Sequence, residues 1–173
     1  MRFYYYWIAI VAFVLDLITK KMIAAQLEIG EQISVIGNFF IITSYRNRGA
    51  AFSILQEQRA FFIIITIIIV SAIGWYIHIS RNSGKAWLLT GLGLVLGGAF
   101  GNFLDRAVYG EVVDFLMFNF GSYTFPIFNI ADSAICVGVA CIIIDTLLNS
   151  KEDSKRIGNR EDKDQNEHEQ QPI

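Results

Sequence analysis

Carboxylate, amide and basic side chains recur at the ends of hydrophobic stretches in this otherwise apolar chain. They are Asp16 with Lys20, the group Asn102, Asp105 and Arg106, then Asp114, and finally Asn129 with Asp132. An ionisable group at membrane depth is costly, so those that are retained there are candidates for function. Together with Asn47 and Arg48 from a polar connection, these residues predict one polar site at one membrane boundary.

Two neighbouring carboxylates would give this site the means to hydrolyse a peptide bond. Like charges a few ångströms apart do not both ionise, so one carboxyl keeps a proton while the other acts as a base. Our candidates for this dyad are Asp114 and Asp132, which come from separate elements and have aromatic or apolar neighbours. Asp105 is the competing member, although the adjacent Arg106 and its helical position favour a supporting, ion-paired role.

Other hydrolytic schemes lack residues of the required type at the required place. The histidines are His78, predicted at the opposite membrane face, and His168 in the tail. A zinc peptidase or a Ser/His mechanism is therefore not expected, and no metal or cofactor is predicted. A Ser/Lys pairing of Ser53 or Ser133 with Lys20 stays open on geometry, but it leaves the carboxylates without a role.

Composition places these residues in a membrane protein, because 54% of the 173 residues are hydrophobic. A helix needs about 20 apolar residues to cross a bilayer. Four segments meet this length, at 4–25, 60–79, 86–106 and 126–148. We therefore predict an all-α membrane domain of four transmembrane helices over residues 1–148. The spacing of Gly93, Gly97 and Gly101 predicts a smooth helix face for close packing.

The segments between the helices are predicted to cover the site. Residues 27–58 contain a run rich in β-branched and aromatic residues, which predicts a small extracytoplasmic β-sheet at the membrane interface. Residues 107–125 are aromatic and apolar, which favours an interfacial segment between the third and fourth helices. Residues 149–173 are densely charged and are predicted to be a disordered cytoplasmic tail without a catalytic role or nucleic-acid binding.

The distribution of Lys and Arg gives a weak preference for orientation. Eight basic residues fall on the side of the termini and six on the other side. Because basic residues favour the cytoplasmic side, both termini are predicted to be cytoplasmic and the polar site to lie near the extracytoplasmic face.

Five motifs of this sequence resemble those of the lipoprotein signal peptidase (signal peptidase II) family. They are DLITK at 16–20, RNRGAAF at 46–52, GGAFGNFLDR at 97–106, VVDF at 112–115 and FNIAD at 128–132. They occur in the family's order and include every polar group of the predicted site.

The resemblance implies an aspartic endopeptidase of the bacterial cell membrane that needs no cofactor or metal. It would cleave prolipoproteins on the amino side of a diacylglyceryl-modified cysteine within membrane lipid, and the cyclic peptide globomycin would inhibit it. Carried over by position, Asp114 and Asp132 are the catalytic dyad. The residues that match supporting positions are Asn47, Asn102, Asp105, Arg106, Asn129, Asp16 and Lys20. The outer sheet would then close over the substrate as a cradle, with Gly49 as its hinge.

Two other function classes were weighed against the peptidase. A small proton-coupled transporter would use Asp16 in a proton relay, and it requires a polar path through both leaflets. A structural membrane subunit would need none of these carboxylates. The gathering of charges at one face and the apolar second segment favour the peptidase over both.

Overall fold

The computed structural model describes residues 3–49, 56–80 and 85–169, with side chains to residue 150. Helices and strands follow one another as α1 (Tyr4–Gln26), β1 (Gln32–Ile36), β2 (Phe40–Asn47), α2 (Arg59–Ser80), α3 (Ala86–Val108), β3 (Val112–Phe120), β4 (Tyr123–Thr124) and α4 (Ile130–Glu169). Four helices thus carry one small sheet, which is built from the α1–α2 and α3–α4 connections at the same end of the bundle.

The helices expose apolar side chains over much of their length, as lipid-facing helices do. In α2, Ile64, Ile68 and Trp75 are all exposed. Among the described residues, α2, α3 and the part of α4 from Ile130 to Ser150 are long and apolar enough to cross a membrane. The first helix is not among them, because it carries three charged residues near one end.

The third helix occupies the middle of the bundle, and its glycines allow its neighbours to approach closely. A Cβ atom at Gly93 or Gly97 would collide with backbone carbonyl oxygens of α1, and one at Gly101 would collide with the Asp16 carboxylate. On another face, Gly98 faces the Ala131 carbonyl of α4 in the same way. The predicted glycine face on α3 is therefore confirmed, and it packs against α1.

The two ends of the bundle differ in chemistry. At the end that holds the start of α1, a hydrophobic cluster joins Tyr5, Ile77 and Leu89. At the other end, buried polar side chains come together beneath the sheet. This separation matches the expectation that the charges gather at one face.

The sheet is antiparallel, with strand order β1-β2-β3-β4. Its first two strands lie in the segment where a sheet was predicted. The segment 107–125, which is predicted to be interfacial, forms β3 and β4 and joins this sheet, and its position at a membrane interface stays a prediction. Pairing with β2 and β4 satisfies backbone groups that an isolated strand would leave open at the membrane boundary.

The fourth helix continues to Glu169 and so enters the range for which composition predicts disorder. Lys, Arg, Glu and Gln all have high helix propensity, and they make up much of this range. A separate peptidase domain at 1–148 with a disordered tail at 149–173 stays a prediction.

Candidate active site

A buried lysine organises the polar cluster. The Nζ atom of Lys20 lies 2.8 Å from Oδ2 of Asp16 and 3.0 Å from Oδ2 of Asp105. It also donates a hydrogen bond of 2.8 Å to Oδ1 of Asn102. These four side chains are all less than a tenth exposed. Because Lys20 engages the amide oxygen, the amide nitrogen of Asn102 is turned the other way, and it donates to Oδ1 of Asp132 at 2.7 Å.

Asn129 and Asp132 form a reciprocal cap at the start of α4. The backbone N–H of Asp132 donates to Oδ1 of Asn129 at 3.0 Å, and the backbone N–H of Asn129 donates to Oδ2 of Asp132 at 3.2 Å. This is the geometry of a capping box, in which two side chains satisfy two unpaired donors of the first helical turn. Asp16 also accepts the Ala131 N–H at 2.9 Å. The helix start therefore holds the side chain of Asp132 in place.

Asp114 is positioned by an irregularity in the sheet. Along the β2–β3 ladder, Ile42 pairs with Leu116 and Tyr45 pairs with Asp114, so two residues of β2 oppose one of β3. Such a bulge changes the direction of nearby side chains. On its other side, β3 pairs at Leu116 with Phe128, the residue before Asn129. This pairing brings the start of α4 next to Asp114.

Asn129 connects the two carboxylates of the predicted dyad. Its Nδ2 atom donates to Oδ1 of Asp114 at 2.7 Å, while its Oδ1 atom caps the helix that begins beside Asp132. Asn47 at the end of β2 donates to the other Asp114 oxygen at 2.8 Å. One amide from the sheet and one from α4 therefore fix the plane of the Asp114 carboxyl.

The surroundings of Asp114 favour its protonated form. Burial raises its pKa to about 7, and the nearby charge of Asp132 acts in the same direction. The hydrogen bonds from Asn47 and Asn129 lower the pKa, but they offset only part of the desolvation. A carboxyl group of this kind is able to donate a proton at neutral pH.

Asp114 and Asp132 line the same cavity, whose volume is about 550 Å³. Asn47, Asn102 and Arg106 supply further polar groups to its wall. Its apolar lining comes from the segment before α4 and from the first turns of α4: Phe125, Pro126, Ile127, Phe128, Ile135, Cys136 and Val137. The cavity thus joins a polar end, which holds both carboxylates, to an apolar channel along α4.

Arg106, in the wall of the cavity, contacts the β2–α2 connection at Gly49. Arg106 donates to the Gly49 carbonyl oxygen at 2.9 Å, and the Gly49 N–H donates to Oδ1 of Asn47 at 2.9 Å. The Arg106 guanidinium also lies 4.7 Å from the ring centre of Phe62 in α2. Sequence reasoning treated α2 as lipid-facing scaffold and missed Phe62, because no local pattern indicates which arginine will stack on it.

The structure separates the competing residues from the dyad. Asp105 is paired with Lys20 and lines a different cavity, on the α1 side of α3. The hydroxyl of Ser133 donates to the Asn129 carbonyl oxygen at 3.0 Å, whereas the partners of Lys20 are Asp16, Asp105 and Asn102. Ser53 and the end of the RNRGAAF motif lie outside the described residues. Within the described residues, no group of three or more His, Cys, Asp or Glu is arranged to hold a metal ion.

Comparison with known proteins gives this geometry a family. Residues 8–148 match the model of the family described as signal peptidase (SPase) II. The chain belongs to the signal peptidase II family. This match covers the four helices from residue 8 to residue 148 and both carboxylates of the predicted dyad.

Relatives and solved structures agree with this assignment. A lipoprotein signal peptidase of Bacillus pumilus (strain SAFR-032) is 48% identical over 149 residues, which is 86% of this chain and 95% of that protein. A bacterial membrane enzyme solved by the in meso method at 2.3 Å resolution aligns with a TM-score of 0.77 and 44% identity, covering 84% of this chain and 88% of that one.

A second structure described in the same way, at 1.9 Å resolution, gives a TM-score of 0.72 and 44% identity over 81% of this chain and 90% of that one. This signal peptidase II family member is therefore a membrane-embedded peptidase with four helices and a small antiparallel sheet. The family does not favour the transporter alternative.

Proposed function

We propose that this peptidase removes signal peptides from bacterial prolipoproteins by cleaving on the amino side of a diacylglyceryl-modified cysteine. We propose Asp114 and Asp132 as its catalytic dyad. The observation that carries the proposal is that both carboxylates line one cavity, with Asn129 bonded to each residue and the pKa of Asp114 raised to about 7.

The two carboxyl groups divide the proton transfers between them. Asp132 accepts hydrogen bonds from Asn102 and from the first turn of α4, which hold its carboxyl group at the cavity wall, and in this proposal it acts as the base. It takes a proton from a water molecule whose oxygen attacks the scissile carbonyl carbon. Asp114 gives its proton to the carbonyl oxygen at the same time, and a neutral tetrahedral diol results.

Collapse of the diol restores the enzyme. The proton now on Asp132 passes to the leaving nitrogen as the C–N bond breaks. One hydroxyl of the diol returns its proton to Asp114 as the new carboxylic acid forms. Both groups regain their starting protonation states, so the reaction needs no metal or cofactor.

The supporting residues hold this arrangement in a low-dielectric environment. Asn47 and Asn129 orient Asp114, while Asn102 orients Asp132 and is itself oriented by Lys20. Arg106 faces the cavity beside both acids, where a cation stabilises negative charge that develops on the carbonyl oxygen. The apolar channel along α4 suits a signal peptide or acyl chain that stays in lipid.

Loss of either proposed catalytic acid is expected to abolish cleavage. Asp114→Asn and Asp132→Asn keep the side-chain shape but remove the titrating proton, so cleavage of a lipidated precursor in detergent should fall by about a thousandfold or more. Asp145→Asn is the matched control, since Asp145 is a buried carboxylate beside Asn149, far along α4 from the site. Full activity in either active-site variant, with normal folding, would remove the dyad.

The substrate and inhibitor assignments need their own assay. A precursor whose cysteine lacks the diacylglyceryl group should be cleaved far more slowly than its lipidated form. Globomycin is expected to inhibit the parent enzyme, and EDTA is expected to have no effect. Equal cleavage of both precursors would contradict the proposed specificity, and inhibition by EDTA would contradict the metal-free mechanism.

We also propose that all four helices cross the bacterial cell membrane, with both termini cytoplasmic and the active site near the extracytoplasmic face. The exposed apolar side chains of α1, including Trp7, Ile10 and Leu15, support its insertion despite its charges. A membrane-impermeant maleimide should label Glu28→Cys but not Lys85→Cys in intact cells, after Cys136 and Cys141 are replaced by alanine. The reverse labelling pattern would contradict this orientation.

A further inference from the structure

A second cavity lies at the active-site end of the helices, on the other side of α3 from the proposed dyad. Its volume is about 410 Å³, and it is bounded by α1, α3 and the sheet. Asp105 of α3 lines this cavity, while the next residue, Arg106, lines the catalytic one. The reaction proposed above makes no use of this second space.

The rim of this cavity carries two basic side chains that the proposed reaction does not use. Lys21 on α1 is exposed and has no ion pair among the residues that the structure describes. Arg46 on β2 forms an ion pair with Glu111 through Nε at 3.7 Å and donates to Ser44 through Nη1 at 3.2 Å, which leaves further N–H groups of its guanidinium. These two side chains therefore keep donors available for a further acceptor.

The acids of the cavity are already engaged. Asp105 is paired with Lys20 at 3.0 Å, and Glu111 accepts from Arg48 at 3.1 Å. The remaining positive charge at the rim therefore comes from Lys21 and Arg46. This rim favours an anion rather than a metal cation.

The walls below the rim are apolar. They are formed by Leu17 and Ala24 of α1 and by Leu104 and Val108 of α3. Ile18 and Met22, on the adjoining surface of α1, are also exposed, so the groove continues towards the lipid-facing side of the helix. A basic rim above apolar walls at the end of membrane helices matches a phospholipid, whose phosphate lies at headgroup depth and whose chains lie in hydrocarbon.

We propose that this second cavity binds an anionic phospholipid of the leaflet at the active-site end of the helices, with its phosphate held by Lys21 and Arg46. The lower part of the groove, between Leu17 and Val108, takes part of an acyl chain. This site also accounts for basic residues on a membrane side where the positive-inside rule does not favour them. The proposal is independent of which carboxylates cleave the peptide bond.

The test is lipid binding by the full-length protein in detergent, measured by native mass spectrometry. Phosphatidylglycerol and phosphatidylcholine are titrated separately. The parent should bind phosphatidylglycerol more tightly, and the double variant Lys21→Gln with Arg46→Gln should lose about 30-fold in affinity for it, because two cations near a phosphate are removed. Lys21→Arg with Arg46→Lys should keep the preference, and so should Lys85→Gln, which removes one charge at the other end of the bundle.

Two further arms distinguish the possible ligands. Ala24→Trp fills the groove and keeps both cations, so it should weaken binding if an acyl chain occupies the walls. Inorganic phosphate in excess should not displace the lipid. Displacement by phosphate, together with normal lipid binding by Ala24→Trp, would contradict a lipid and indicate a site for the free anion.

The decisive outcomes do not depend on catalysis. Equal affinity of the parent for both lipids, or unchanged phosphatidylglycerol binding in the double variant, would overturn the proposal. Thermal unfolding is measured for each variant. If the double variant is unstable, the single variant Lys21→Gln replaces it in the binding test, because the exposed side chain of Lys21 has no packing role. Loss of lipid preference with intact cleavage would separate this site from the proposed active site.

Discussion

At the scale of single residues, the environment of each carboxyl group decides its role. Asp114 is buried in the sheet and receives two neutral amides, whereas Asp132 is held by the first turn of α4 and by Asn102. Burial and the nearby charge of Asp132 raise the pKa of Asp114, because both disfavour its charged form. In the proposed mechanism, Asp114 is therefore the acid and Asp132 the base.

The rate of cleavage is expected to depend on pH through Asp114. The pKa of this group is raised to about 7, so its reactive protonated form is present below that pH and is lost above it. Between about pH 7 and pH 9, kcat/KM should fall by about tenfold per pH unit. Thermal unfolding over the same range is the control for loss of structure. A rate that stayed constant or rose over this range would contradict the assignment of the proton to Asp114.

Lys20 is expected to be essential for stability as well as for activity. Lys20→Gln leaves Asp16 and Asp105 buried without their shared cation, which should cost about 3 to 5 kcal/mol of unfolding free energy. Arg48→Gln is the matched control, because it removes an exposed cation that pairs with two acids at the surface, where solvent screens the interaction. A Lys20→Gln protein as stable as the parent would contradict the stabilisation of Asp16 and Asp105 by Lys20.

Residue types could be predicted from the sequence here, but not their partners. The charges in apolar surroundings identified all the polar residues of the cluster, because such groups are rare at membrane depth. The link from Lys20 through Asn102 to Asp132 joins three elements, so its geometry depends on packing that a single sequence does not encode locally. The double role of Asn129 has a partial signal in the sequence, since Asn followed three residues later by Asp before an apolar run is typical of a capping box.

At the scale of elements, close contact between α1 and α3 holds the buried ion pairs next to the dyad. Gly101 is the residue at which this contact meets the charged cluster, because a side chain there would displace Asp16. Asp16 in turn binds the start of α4 through Ala131. The position of α4 thus depends on how closely the first and third helices approach.

Gly101→Ala is expected to reduce both stability and activity. The added methyl group collides with the Asp16 carboxylate, and overpacking of this kind costs about 1 to 3 kcal/mol. Gly74→Ala in α2 is the control, since nothing lies within 4 Å of a Cβ built there, and alanine favours the helix. The measurements are thermal unfolding and cleavage in the same detergent. Equal behaviour of the two variants would contradict the proposed role of the α1–α3 contact.

Periodicity and length located the elements but not their pairing. The first three helices lie within two residues of their predicted bounds, because long apolar runs are strong signals, and a sheet was predicted where β1 and β2 lie. The fourth helix begins at Ile130 instead of 126 and continues to Glu169, beyond the predicted end at 148. The sequence did not show that β3 joins this sheet. Its run of apolar and aromatic residues predicts an interfacial position but does not identify a pairing partner, because the pairing with β2 joins segments far apart in the sequence.

At the scale of the whole molecule, the proposed active site lies at one end of the helices and the hydrophobic cluster around Tyr5 lies at the other end. The proposed active site needs nothing beyond residue 148, where the family match also ends. A protein truncated after Ser150 should therefore cleave a lipidated precursor within about twofold of the full-length rate, a change too small to reflect a lost catalytic group. Truncation inside the apolar part of α4, for example after Ile135, is the matched control and should abolish activity. A large loss on truncation after Ser150 would assign a function to the tail.

The reciprocal cap at Asn129 and Asp132 has a consequence for biosynthesis. A growing chain that has inserted only its first three helices already contains Asp114, but the second acid does not exist until the last helix begins. That acid is held in position only when the first turn of this helix has formed against the sheet. If Asp114 and Asp132 are the catalytic pair, as proposed above, the enzyme remains inert towards the precursors around it until its own assembly is finished.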